Sequence, residues 1–128
     1  MSKVIGIGGV FFKSEDPASL CEWYRRWLGF DITSYGCAEF PQSDRPDEAF
    51  TVWTPFARDT KYMDPSRKEF MINLVVDDVD SLLESVREGG AEIVGGIDRE
   101  PYGDFGWFID PEGNKIELWK PKAQTNGE

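Results

Sequence analysis

The chain contains no histidine and only two cysteines among its 128 residues. Histidine is the commonest general base and the commonest transition-metal ligand, so its absence removes the usual catalytic and metal-binding chemistry. Cys21 and Cys37 are too few for a disulfide framework, which indicates a reduced, cytoplasmic protein. Neither cysteine has a histidine to activate it, and a thiolate nucleophile is therefore not expected.

The chain also lacks a basic run and a long apolar stretch. Its 24 acidic residues outnumber its 14 basic ones, for a formal net charge of −10. Such a chain is repelled by phosphate backbones and by anionic lipid. No apolar stretch approaches the ~20 residues that cross a bilayer. We therefore expect neither nucleic acid nor a membrane as a partner.

The first half of the chain predicts a strand followed by a helix. Residues 5–12 form an apolar run with interspersed glycines, which is typical of a strand. Asp16 then stands at a predicted helix N-cap, with Pro17 at the first helical position. Gly29 ends the helix, and Phe30 opens the next strand.

The same order recurs about 62 residues later, which indicates an internal repeat. Residues 70–76 predict a strand, Asp77 or Asp78 caps a second helix, and Gly89 with Gly90 ends it. Neither half has enough residues to close a core alone, so we expect one α+β domain. Its predicted parts are module one at about 4–56, a linker at about 57–69, module two at about 70–121, and a polar tail at 122–128. The remaining predicted strand segments are 35–40, 49–56 and 91–94.

The most informative stretch closes the second module as a strand, a tight turn and a strand. The turn is Asp-Pro-Glu-Gly-Asn at residues 110–114, in which proline fixes φ and glycine allows a positive φ. In the following strand Ile116 and Leu118 point to one face, while Glu117 and Trp119 point to the other. Glu117 is then either a solvated residue on an outer face or a ligand inside a cup.

These residues also carry a resemblance. The stretch Phe-x-Asp-Pro-Glu-Gly-Asn-x-Ile-Glu-Leu-Trp at residues 108–119 resembles the closing hairpin of the vicinal oxygen chelate superfamily, which includes glyoxalases, bleomycin-resistance proteins and extradiol dioxygenases. The resemblance implies two βαβββ modules, each with one helix, whose strands form a curled mixed sheet around a cup. It also implies a homodimer, and it covers nearly the whole chain, from Val4 to Pro121.

The resemblance places four possible metal-ligand positions in the cup. Counting back from the helix caps places two of them on Gly9 and Met71. The last strand of module one places the third near Trp53, and the hairpin motif places the fourth on Glu117, which alone has a ligand-type side chain. A single carboxylate does not hold a divalent cation, because such sites need three or four donors. We therefore expect no cofactor. The alternative is a hard cation held by Glu117, Asn73 and water.

The five tryptophans are the other candidate functional residues. Trp23 and Trp27 lie on the apolar stripe of the first helix and are assigned to the core. The remaining three lie on predicted strands and contact either a ligand or the core. Tyr102 belongs either to a rim loop over the cup or to a plain turn. The predicted ligand-binding residues are Trp53, Asn73, Tyr102, Trp107 and Trp119.

Three functions are compatible with this pattern. The first is metal-free binding of an unidentified small molecule in an aromatic-lined cup or dimer groove. The second is an enzyme of the family, a lyase, isomerase or dioxygenase, with a noncanonical metal site or with Glu117 as catalytic general acid or base. The third is an interaction protein without a small ligand.

Overall fold

A computed structural model describes residues 9–123 of the chain. Its fold is α+β, as the sequence predicts, with two helices and a four-stranded mixed sheet. The elements are α1 (Pro17–Leu28), β1 (Ile72–Val75), α2 (Val79–Glu88), β2 (Glu92–Glu100), β3 (Gly103–Ile109) and β4 (Lys115–Pro121), with a single 3-10 turn at Gln42–Asp44 before β1.

Both helices begin and end where the sequence indicates. The side chain of Asp16 accepts a hydrogen bond from the Ser19 amide at 3.1 Å, and that of Asp78 accepts one from the Ser81 amide at 3.0 Å. These bonds satisfy backbone donors that have no partner within the helix. Gly29 ends α1 in the left-handed region at φ 70°.

The sheet has the strand order β1-β4-β3-β2. The central pair, β3 and β4, is the antiparallel hairpin predicted around residues 110–114. Strand β1 pairs with β4 in parallel, and β2 pairs with β3 antiparallel with a register shift between Val94 and Asp98. The strand predicted at 91–94 therefore extends to Glu100.

The two helices pack on one face of this sheet and form the core with it. The Trp23 indole donates to the carbonyl of Gly89 at 2.8 Å, and the Ser85 hydroxyl donates to the carbonyl of Trp27 at 2.7 Å. These bonds join α1 to α2, and both tryptophans pack against the core as predicted. The buried cluster consists of Leu20, Tyr24, Val79, Leu83, Val86, Phe108, Ile116 and Leu118.

Within residues 9–123, all four strands come from the second half of the chain. The first half contributes α1 and one isolated bridge between Ile32 and Ala38, and the described residues of 9–12, 35–40 and 49–56 form no ladder. A strand persists where its N–H and C=O groups pair with a neighbour, and no neighbouring strand is aligned with these segments in the described part of the chain. Residues 5–8 of the first predicted strand and residues 124–128 of the predicted tail lie outside the described residues.

Within residues 9–123, no helix is both long enough and apolar enough to span a bilayer.

Candidate functional site

One face of the sheet lies opposite the helices, and strand alternation decides which side chains occupy it. Ile116 and Leu118 point into the core, so their neighbours in β4 point the other way. We call this surface the open face. Its residues include Asn73, Val75, Phe105, Trp107, Lys115, Glu117 and Trp119.

Glu117 lies in the centre of a row that crosses three strands. The strand register places Asn73 of β1 beside it on one side and Trp107 of β3 on the other. The Asn73 amide donates to Glu117 Oε1 at 2.7 Å, and the Trp107 indole donates to Oε2 at 2.8 Å. Glu117 is only 8% exposed, so these bonds replace water that the carboxylate would otherwise bind.

A third donor, Tyr62, reaches Glu117 from the linker between the two halves. Its hydroxyl donates to Glu117 Oε2 at 2.5 Å, and its ring meets Trp107 edge-on with centroids 6.2 Å apart. Burial raises the pKa of Tyr62, and the hydrogen bond to Glu117 and its charge raise it further. The sequence reasoning missed this residue, because a tyrosine in a turn-rich linker carries no periodicity that would place it over the sheet.

Lys115 completes the polar part of the open face. Its side chain is buried, its Nζ donates to the backbone carbonyl of Tyr62, and Nζ lies 5.1 Å from the centre of the Tyr62 ring. Burial lowers the pKa of Lys115, and the nearby charge of Glu117 opposes that effect. The sequence analysis missed Lys115 too, although its two-residue spacing from Glu117 places both on one face of a strand.

The neighbouring row of the open face is aromatic. The rings of Phe105 and Trp119 are stacked with centroids 6.1 Å apart and 5° between their planes. Phe50 packs edge-on against Trp119 at 5.3 Å, and Tyr102 packs against Phe105 at 5.8 Å. The Glu117 carboxylate, bonded to the Trp107 indole, therefore adjoins a cluster of packed aromatic rings, within which Trp119 is 6% exposed.

The structure brings most of the predicted site residues to this face. Asn73 and Trp107 contact Glu117 directly, while Trp119 and Tyr102 belong to the aromatic row. Trp53 does not join them: its side chain is 77% exposed, and within residues 9–123 it has no aromatic or hydrogen-bonding partner. The residue lies in the segment that forms no strand, which is why alternation does not place it on the open face.

The surroundings of Glu117 do not fit a divalent cation. The groups that approach its oxygens are an amide N–H, an indole N–H and a phenol O–H, all of which donate hydrogen bonds rather than electron pairs. Gly9 and Trp53 lie exposed, and neither they nor Met71 bonds to Glu117 in the described chain. Among residues 9–123, no three His, Cys, Asp or Glu side chains come together as a metal site.

Other residues of the hairpin motif tie the hairpin to α1 instead of lining the open face. Asp110 accepts a hydrogen bond of 2.8 Å from the hydroxyl of Tyr24, which lies in α1. Glu112 accepts the Ser14 hydroxyl at 2.8 Å and the amides of Glu15 and Asp16 just before α1 begins. The turn thus holds the first half of the chain against the second.

TnmS3 and TioX share this fold over most of the chain. TnmS3, an antibiotic binding protein from Streptomyces sp. CB03234, is 26% identical over 84% of this chain and 88% of its own, with a TM-score of 0.50. TioX from Micromonospora sp. ML1 is 19% identical over 85% of this chain and 93% of its own, with a TM-score of 0.51. The hypothetical protein SA1046 from S. aureus, at 24% identity and a TM-score of 0.39, is matched over 45% of this chain and only about half of its own length, 48%.

No curated protein sequence matches the chain. A family model does match, over residues 7–118, which include both helices, most of the closing hairpin and every open-face residue named above except Trp119. The protein therefore belongs to the Glyoxalase/Bleomycin resistance protein/Dioxygenase superfamily.

Proposed function

We propose that the protein binds a flat aromatic small molecule on its open face, without a metal. The observation that carries this proposal is the juxtaposition of a buried, hydrogen-bonded carboxylate, Glu117, with the stacked pair of Phe105 and Trp119. Aromatic surfaces bind flat ligands by stacking, and one well-placed polar group orients them.

The comparison with TnmS3 supports the same conclusion. That protein is described as antibiotic binding, and it is 26% identical to this chain over 84% of this chain's residues. The donors around Glu117 further support a binding role. They keep the carboxylate as a hydrogen-bond acceptor and offer no electron pair with which to help it hold a metal ion.

Fluorine NMR tests this proposal residue by residue. The chain has five tryptophans, so protein labelled with 5-fluorotryptophan gives five resonances that Trp→Phe variants assign. We expect 2-methoxynaphthalene to shift the resonances of Trp107 and Trp119 and to leave that of Trp53 unchanged. Trp53→Phe is the matched control, because Trp53 is 77% exposed and should not affect binding.

The affinity change gives a second, quantitative criterion. Trp107→Phe removes the indole hydrogen bond to Glu117 and part of the aromatic surface, and we expect about tenfold weaker binding. A response of Trp53 alone, or no response of any tryptophan, would contradict the proposal.

An enzyme of the superfamily is the second candidate, and one observation favours it. Glu117 is largely buried and bonds to the hydroxyl of Tyr62, a group that carries a proton. In this case Glu117 acts as general acid or base in a lyase, isomerase or dioxygenase reaction. Glu117→Gln would then abolish turnover of a bound ligand while leaving its affinity within a few-fold, whereas a pure binder shows no turnover in either form.

We also propose that two copies of the chain associate. The described residues of the first half expose several large apolar side chains, which is typical of surfaces that other protein covers. The unpaired segment 49–56 has the strand-like composition that a second copy could extend by backbone pairing. Sedimentation equilibrium should give twice the chain mass of 14.6 kDa, and a single-chain mass at high concentration would exclude the dimer. The exposed residues concerned are Val10, Phe11, Phe50, Val52 and Trp53.

A cytoplasmic location is a further proposal. Cys21 and Cys37 are both free, as expected of a protein kept in a reducing compartment. Cell fractionation with this protein tagged at its C-terminus tests it, and recovery outside the cytoplasmic fraction would refute it.

A further inference from the structure

Tyr62 is held on the open face as a bound phenol would be. Its hydroxyl donates to Glu117 Oε2 at 2.5 Å, while the edge of Trp107 and the ring of Phe56 flank its own ring, with centroids 6.2 and 5.6 Å away. The Lys115 ammonium lies 5.1 Å from the ring centre, within cation–π range. An acceptor for the hydroxyl, aromatic walls and a cation near the ring together recognise a hydroxyaromatic group.

The segment that carries Tyr62 is not a built-in part of the sheet. It is a series of turns, in which the backbone amide of Thr60 donates to the carbonyl of Ala57 and that of Asp64 donates to the carbonyl of Lys61. Side-chain bonds attach it to the hairpin at two further points, from Lys115 to the Tyr62 carbonyl and from Ser66 to the Gly113 carbonyl. Tyr62 itself remains 40% exposed, so its ring can leave the open face without opening the core.

We infer that Tyr62 is an internal stand-in for the ligand, which carries a phenolic hydroxyl that replaces that of Tyr62 at Glu117. This inference rests on the proposed function and names its ligand class. Tyr62 thereby competes with the ligand. The apparent affinity is the intrinsic affinity multiplied by the fraction of molecules in which Tyr62 has left the subsite.

The charges around the subsite favour a neutral hydroxyl over other ligand groups. An anionic group would approach the Glu117 carboxylate in a chain with a formal net charge of −10. A cationic group would approach the ammonium of Lys115, which lies 5.1 Å from the ring that the ligand replaces. A phenol is repelled by neither, and it supplies the one donor that Tyr62 withdraws when it leaves.

The test compares two probes of almost identical shape, 2-naphthol and 2-methoxynaphthalene, of which only the first has a hydroxyl donor. Their affinities are measured by the 5-fluorotryptophan titration for the wild type, Tyr62→Phe and the control Tyr35→Phe. Tyr35 is 93% exposed and lies outside the open face. The quantity of interest is the ratio of the two affinities, because a change in how the ring of residue 62 packs affects both probes alike, whereas only 2-naphthol can donate a hydrogen bond to Glu117.

In Tyr62→Phe the Glu117 carboxylate keeps its bonds from Asn73 and Trp107 but loses the one from the Tyr62 hydroxyl. We therefore expect the preference for 2-naphthol to rise about tenfold over the wild type, the effect of a hydrogen bond to a charged group. Tyr35→Phe should leave the ratio unchanged. An unchanged or smaller ratio in Tyr62→Phe, with both probes still bound, overturns the stand-in role and leaves the proposed function intact. Failure of both probes to shift Trp107 in every variant overturns both.

A second measurement does not depend on any variant's stability. The chain has four tyrosines, so wild-type protein labelled with 3-fluorotyrosine gives four resonances. Saturation with 2-naphthol should move the Tyr62 resonance towards that of exposed Tyr35, while 2-methoxynaphthalene should move it less. A Tyr62 resonance that stays in place while 2-naphthol saturates Trp107 would refute displacement.

Discussion

Replacement of Asp110 by asparagine should destabilise the protein more than any surface substitution. The Asp110 carboxylate is 4% exposed and accepts four hydrogen bonds. Its Oδ1 accepts the amides of Glu112 and Asn114, both at 2.9 Å. Its Oδ2 accepts the Tyr24 hydroxyl and the Asn114 side-chain amide, both at 2.8 Å. Asparagine preserves the shape and the first pair but places an N–H₂ donor against the second pair of donors.

The expected loss follows from the two bonds at Oδ2. Asp110→Asn leaves the Tyr24 hydroxyl and the Asn114 amide without an acceptor, and each unsatisfied buried group costs about 1–3 kcal/mol. We therefore expect the free energy of unfolding to fall by about 3 kcal/mol. Tyr24→Phe removes one bond to a charged group and should cost about 1.5 kcal/mol. In the double variant the phenylalanine removes one orphaned donor, so the two losses should fall short of additivity by at least about 1 kcal/mol.

Urea unfolding at pH 7, followed by tryptophan fluorescence and by far-UV circular dichroism, measures these differences. Asp98→Asn is the matched control, because Asp98 is exposed and its side chain has no hydrogen-bonding partner among the described residues. The control should stay within about 0.5 kcal/mol of the wild type. A similarly small effect of Asp110→Asn, or additive losses in the double variant, would show that the hydrogen bond from Tyr24 to Asp110 does not stabilise the contact between α1 and the hairpin.

Three further predictions concern the same framework. Burial above all raises the pKa of Tyr24 above its usual 10.0. The stabilisation that neutral Tyr24 provides is therefore complete below pH 10 and is lost at higher pH, by up to about 1.4 kcal/mol per pH unit. Urea titrations at a series of pH values should show that the free energy of unfolding declines less steeply at alkaline pH in Tyr24→Phe than in the wild type. Gly106→Ala should lower the free energy of unfolding by about 1–3 kcal/mol, because the added Cβ would lie 2.7 Å from Leu83 Cδ1. The control Gly96→Ala, whose Cβ meets nothing within 4 Å, should cost less, and equal thermal midpoints of the two variants would disprove the clash. The hydrogen bond from the Ser14 hydroxyl, and then that from the Glu15 amide, lower the pKa of Glu112 below 4.5. The stabilisation that ionised Glu112 provides is therefore present above pH 4.5 and is lost as the pH falls. In thermal melts, the midpoint of Glu112→Gln should fall less than that of the wild type as the pH is lowered.

The predictions that held concern local structure. Asp16 and Asp78 cap their helices, Gly29 ends α1, and residues 110–114 form the turn of an antiparallel hairpin. Each of these features depends on a few consecutive residues, whose allowed φ and side-chain bonds to nearby backbone are readable from the chain. The shared face of Glu117 and Trp119 follows in the same way from strand alternation.

The prediction was incomplete where the outcome depends on partners distant in sequence. Segment 49–56 has a strand-like composition but forms no ladder in the described chain, and Trp53 lies exposed as a result. Composition shows which segments favour an extended backbone, whereas a ladder also requires an aligned neighbour. In the described chain Trp53 therefore lies off the open face, and its predicted ligand contact is not part of the proposed site.

The sequence by itself determined the two helices, the closing hairpin and the side of β4 on which Glu117 stands, because these follow from steric limits on φ, from capping and from the two-residue strand period. Only the tertiary structure decided what surrounds Glu117. Asn73 and Trp107 reach it through the register of three strands, and Tyr62 reaches it from a linker 55 residues away. Such contacts depend on the packing of the whole domain, since no local rule relates residues so far apart in the chain.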